Sequence, residues 1–148
     1  MTTEPETTPT RRSTLGRTIG RVLLGLFLVG AGVGHLTIAR EGFQAQVPPW
    51  LPFDVDFVVV ASGIVEITLG LALLLLTRYR IAVGWIAALF FLAIFPGNIS
   101  QLFVHTAAEG WDNAMAVALG VRLLFQPLLV LWALWSTGAW MWWRARRS

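Results

Sequence analysis

Glu66 and Arg122 stand inside long apolar runs, where a charged side chain is costly unless it meets a partner. Glu66 lies about ten residues into the run from 57 to 77, and Arg122 about nine residues into the run that starts near Asn113. At about 1.5 Å of helical rise per residue, both sit at matching depths of roughly 15 Å. Removal of either charge from water is repaid only by close pairing, so a buried Glu66–Arg122 ion pair is expected. Ser62, Glu66 and Gly70 share one helical stripe with Gly63 beside it, and Gln126 follows Arg122 on the same face. His35 falls near the outer end of the first run, and Asn98 near the outer end of the third, just after Pro96. That proline removes a backbone donor and crowds the carbonyl near Leu92, which the Asn98 amide could satisfy. Gly30 and Gly34 are expected to let the first helix pack closely below His35.

These groups converge from four helices, so His35, Glu66, Asn98, Arg122 and Gln126 are expected to line one cavity that opens toward the outer half of a membrane. The bland alternative is a single ion pair that fixes helix register. One glutamate and one histidine could exchange protons, but nothing in the chain fixes a substrate for them. A metal site is not expected, because the ligand number falls short. His105 is expected to lie solvated in an outer loop. The chain has no cysteine, which excludes thiol nucleophiles, disulfides, iron–sulfur clusters and thiolate-held haem.

Four apolar runs must position these residues. Of 148 residues, 56% are hydrophobic and 13% charged, against roughly 45–50% and about 25% in soluble domains. Four spans of about 20 residues use nearly all of that apolar content, which leaves none for a separate soluble domain. The fold expected is all-α, an integral membrane four-helix bundle over residues 16–137. Residues 1–15 read as a disordered cytoplasmic tail, rich in Thr, Pro and Glu. Residues 138–148 mix Trp with Arg, as at a headgroup-level interface. The first run lacks a clear small-x-small cleavage site and is expected to be retained.

All eleven basic residues are arginines. Nine of them, Arg11, Arg12, Arg17, Arg21, Arg78, Arg80, Arg144, Arg146 and Arg147, flank the runs on one side, which predicts both termini in the cytoplasm. Their positions at span ends suit topology and anionic headgroups better than nucleic acid. Between the first two helices, Phe43 to Phe53 holds three prolines in five positions and cannot be a regular helix throughout. Its aromatics, Trp50 among them, suit a rigid segment at the outer interface, either a lid over the polar site or a surface anchor.

Gly34-His35, Phe43, Val47-Pro48-Pro49-Trp50-Leu51-Pro52, Ser62-Gly63, Glu66-Ile67, Gly70-Leu71, Arg78, Phe95-Pro96-Gly97-Asn98, and Arg122 with Gln126 form an ordered series. The series resembles the DoxX family of small bacterial four-helix membrane proteins, over roughly residues 21–137. Gly97 stands where that family usually has alanine, and Leu36 where an aromatic often follows the histidine. The resemblance implies an accessory or anchoring subunit in the bacterial inner membrane, linked to quinone electron transfer or thiol redox through a membrane oxidoreductase partner. It implies a quinone as the possible non-covalent cofactor, with carbonyls that the polar cluster could bond. The alternative is a non-enzymatic protein that binds or transports a lipophile. Neither reading sets an oligomeric state.

Overall fold

A computed structural model describes residues 14–147. Most of the expected tail lies outside the described residues, and Leu15 is already helical. Four long helices, α1 (Leu15–Leu36), α3 (Val55–Leu75), α4 (Arg80–Glu109) and α5 (Ala114–Thr137), form the bundle. Two short helices, α2 (Arg40–Gln44) and α6 (Ala139–Ala145), cover its two ends, and a single 3-10 turn at Thr77–Tyr79 joins α3 to α4. Among the described residues every regular element is helical.

Local chemistry sets the boundaries. Asp54 caps α3 by accepting the Phe57 backbone N–H at 2.8 Å, and Asn113 caps α5 by accepting that of Ala116 at 2.8 Å. The α5 helix ends at Gly138, whose φ of +79° needs a residue without a Cβ. The α4 helix extends well past the expected end near Asn98, with Pro96 inside it. Asn98 is therefore a mid-helix residue, and His105 lies on the same helix, with Nε2 3.0 Å from Asn113 Oδ1, instead of in a solvated loop.

The tightest crossing joins α1 to α3, and glycines permit it. A Cβ at Gly32 would stand 2.5 Å from the Gly63 carbonyl oxygen, and one at Gly70 would stand 2.7 Å from that of Gly25. On α3 the small residues Gly63 and Gly70 lie at the crossing, but on α1 the glycines expected there, Gly30 and Gly34, do not: Gly30 has no atom within 4 Å of its Cβ position, and Gly34 only ordinary contacts. The glycines at the crossing are spaced seven apart on both helices, Gly25 with Gly32 and Gly63 with Gly70, so a spacing of four picked out the wrong face of α1. The core between the helices is built from Leu24, Leu28, Leu73, Ala87, Phe91 and Ala133.

The end of the bundle where α1 begins and α5 ends is closed by polar contacts as well as packing. Arg21 donates to the Leu73 carbonyl, and Trp132 Nε1 donates to that of Gly20 at 2.9 Å. Thr137 fills the space above Gly84, where a Cβ would come within 2.0 Å of its hydroxyl. Arg17 and Arg21 are both buried. For Arg21 the physical reason is that Leu73 lies among the last four residues of α3, whose carbonyls lack helical partners and attract cations.

All four long helices are long and apolar enough to cross a membrane. Between 17% and 39% of the most apolar stretch of each is buried within the bundle. The remainder is surface, and it includes large apolar side chains such as Phe27, Leu75, Leu124 and Phe125.

Candidate functional site

At the opposite end, around α2 and the segment after it, the four long helices diverge around a cavity of about 740 Å³. Its walls are mostly apolar, with Leu28, Val59, Phe91, Phe125 and Leu129 contributed by all four long helices. His35, Trp50, Glu66, Asn98, Arg122 and Gln126 all line this one cavity. Helix geometry explains the convergence: each helix turns at least one polar residue away from its apolar exterior and toward its neighbours.

The polar groups are not wired as the residue spacing suggested. Among the described residues Glu66 and Arg122 form no ion pair; Glu66 Oε2 instead lies 3.1 Å from His35 Nδ1. Arg122 turns to two neutral amides, donating from NH2 to Gln46 Oε1 at 2.5 Å and from NH1 to Gln101 Oε1 at 3.4 Å. Matching depth did not imply contact, because the α1–α3 crossing brings His35 to Glu66 while Arg122 meets the chain that follows α2. Gln46 is the site residue that spacing could not find, since it lies between two helices in a stretch without periodicity. Arg122 thereby ties that stretch to α4 and α5.

Asn98 and Gln126, both buried, form a second set. Asn98 Nδ2 donates to Gln126 Oε1 at 2.9 Å, and Gln126 Nε2 donates to the Phe91 carbonyl at 2.7 Å. The carbonyl that receives side-chain help is thus Phe91, not Leu92, and Gln126 supplies the donor instead of Asn98. Two helices of the bundle are joined here by amides that satisfy each other.

His35 is held on three sides. Its ring meets Phe43 edge-on with centroids 3.6 Å apart, and Nδ1 lies 3.1 Å from Ser62 Oγ as well as near Glu66. Ser62 donates its own hydroxyl hydrogen to the Val59 carbonyl at 2.9 Å. Its oxygen therefore accepts from His35, which places a proton on Nδ1. A serine nucleophile would need the reverse polarity, with the imidazole accepting the hydroxyl hydrogen. The cluster consequently has acid–base groups but no activated nucleophile. No third metal-ligating carboxylate, thiolate or imidazole joins His35 and Glu66 among the described residues.

Trp50 is exposed, in the stretch that runs past Gln46, Val47, Pro48 and Leu51 along the cavity. That stretch seats tightly on α4: a Cβ at Gly97 would stand 2.9 Å from the Gln46 carbonyl oxygen. The position where the DoxX pattern has alanine thus needs glycine here. At its base the stretch is pinned by Arg40, whose guanidinium bonds both carboxylate oxygens of Asp56. That contact pushes the Arg40 pKa further up from its ordinary value.

Residues 24–137 match a family described as a domain of unknown function, DUF8561. No curated protein and no solved structure matches the chain. The match corrects the DoxX resemblance. Small residues at helix crossings, a proline in an apolar run and polar groups facing inward are what any small membrane-type bundle requires. A series of such short motifs reflects those shared constraints and does not establish common descent.

Proposed function

We propose that this chain, which belongs to the DUF8561 family, is a non-enzymatic, membrane-embedded protein that binds a lipophilic molecule. Its four long helices cross the cytoplasmic membrane with both termini inside. The quinone-linked redox role came with the DoxX resemblance and is not carried over. The observation that carries the binding reading is the cavity itself. Its size lies within the roughly 300–1,000 Å³ of small-molecule sites, and a few polar groups among apolar walls are what such sites use for orientation. A bundle serving only as an anchor has no need of such an opening between its helices.

Native mass spectrometry of the chain extracted in mild detergent tests this reading. The expected result is a retained small-molecule adduct, absent from an Ala31→Phe variant that fills the cavity and keeps its helical circular dichroism. A wild-type chain that retains nothing, even after incubation with membrane lipid extract, overturns the binding role.

The topology rests on the arginine asymmetry and has its own test, which the absence of native cysteine makes clean. Single cysteines at Gly42 and Trp111 should react with a membrane-impermeant maleimide in intact cells. Cysteines at Arg78 and Arg146 should react only after lysis. Labelling at position 78 in intact cells overturns the orientation.

A further inference from the structure

Within the cavity one buried acceptor has nothing to accept. Glu66 is 6% exposed, lines the cavity, and its Oε2 has no hydrogen-bond donor. His35 Nδ1 is within ion-pair distance, but its hydrogen is directed at the Ser62 oxygen, since the Ser62 hydrogen is engaged by Val59. Asn98 and Gln126 are committed to each other and to Phe91. Arg122 is drawn toward Gln46 and Gln101. A carboxylate oxygen left without a donor in an apolar setting is among the more costly defects a fold can carry, and native structures keep them chiefly where something else completes the bond.

We propose that the cavity takes a membrane amphiphile whose head carries an O–H or N–H, and that Glu66 Oε2 accepts that hydrogen. This inference rests on the lipophile-binding reading above and specifies its ligand. The tail lies against Leu28, Phe91, Phe125 and Leu129, and the head reaches the side of the cavity formed by α1 and α3. Heads that carry only lone pairs, such as ethers, esters and carboxylates, set acceptor against acceptor at Glu66 and are rejected. Discrimination of this kind comes from a buried polar group left unpaired by the wrong ligand, and it exceeds what an apolar wall achieves by shape.

The test uses two probes with the same tetradecyl chain, 1-tetradecanol and its methyl ether, titrated into the full-length chain in maltoside micelles and read by native mass spectrometry. The alcohol should bind at least about tenfold more tightly than the ether, as expected for one well-placed hydrogen bond. E66Q presents an amide that can donate as well as accept, so the ether gains a partner and the ratio should fall to within about threefold. Equal binding of both probes to the wild-type chain overturns the donor requirement while leaving lipophile binding intact. A wild-type preference unchanged in E66Q overturns the role of Glu66. Binding of neither probe overturns the donor-headed ligand, and the adduct measurement above then decides whether a lipophile of another kind is bound. The wild-type ratio stands alone as the test should E66Q not fold.

Discussion

Gly32→Ala should destabilise the bundle by about 3 kcal/mol, whereas Gly30→Ala, two residues earlier on the same helix, should leave it unchanged or slightly more stable. The two substitutions add the same methyl group to the same helix. At Gly32 that methyl would stand 2.5 Å from the Gly63 carbonyl oxygen, 2.7 Å from Ile67 Cγ1 and 3.0 Å from the Ile67 backbone nitrogen. Two of those three atoms are backbone and cannot rotate away, so α1 and α3 must separate. Separation also loosens the Gly25–Gly70 contact one level along the same crossing. At Gly30 the methyl meets nothing within 4 Å, and alanine holds a helix better than glycine. Thermal unfolding of both variants in detergent, followed by circular dichroism, makes the comparison. Equal destabilisation would show that the close crossing is not what holds these helices together.

Gln126→Leu should cost about 2 kcal/mol, more than the average of roughly 0.6 kcal/mol for an interhelical hydrogen bond between membrane helices. The reason is that Gln126 makes two such bonds, one to Asn98 and one to the Phe91 carbonyl, and leucine removes both and leaves the buried Asn98 amide without its acceptor. Asn98→Leu should cost less, about 1 kcal/mol, because Gln126 keeps its bond to Phe91. Since the two residues share a bond, the cost of the double variant should fall short of the sum of the single costs. Additive costs in the double-mutant cycle would mean that the pair does not act as a unit.

The helical class and the inward-facing polar groups were legible from residue types alone, since four apolar runs, each interrupted by a polar residue, leave few other arrangements. His35, Glu66, Asn98, Arg122 and Gln126 could be assigned to one cavity on that basis. Their partners could not. Pairing Glu66 with Arg122 used depth, which rise per residue supplies, but contact also needs the rotation of each helix about its axis. That rotation is set by Gly32 against Gly63 and Gly25 against Gly70, and the chain carries glycines on more than one face of α1. Gln46 was illegible for a different reason: it lies in a proline-rich stretch where neither the period of a helix nor that of a strand applies. The length of α4 was underestimated because the third run was read as ending near Asn98, whereas the helix continues through Pro96 to Glu109.

The two ends of the bundle differ in how much work it takes to part them. Where α1 begins and α5 ends, Arg21 reaches across to α3, Trp132 to α1, and Thr137 occupies the hollow over Gly84. To open a path there, each of these contacts would have to break at once. At the other end the closure is one stretch of chain, latched by Arg122 to Gln46 and seated over Gly97. If the cavity binds a lipophile as proposed, the easier way in and out lies past this stretch, and the bundle would serve as a cup, not a tunnel. Its occupancy would then follow the composition of a single leaflet, and a concentration difference between the two leaflets would persist in its presence.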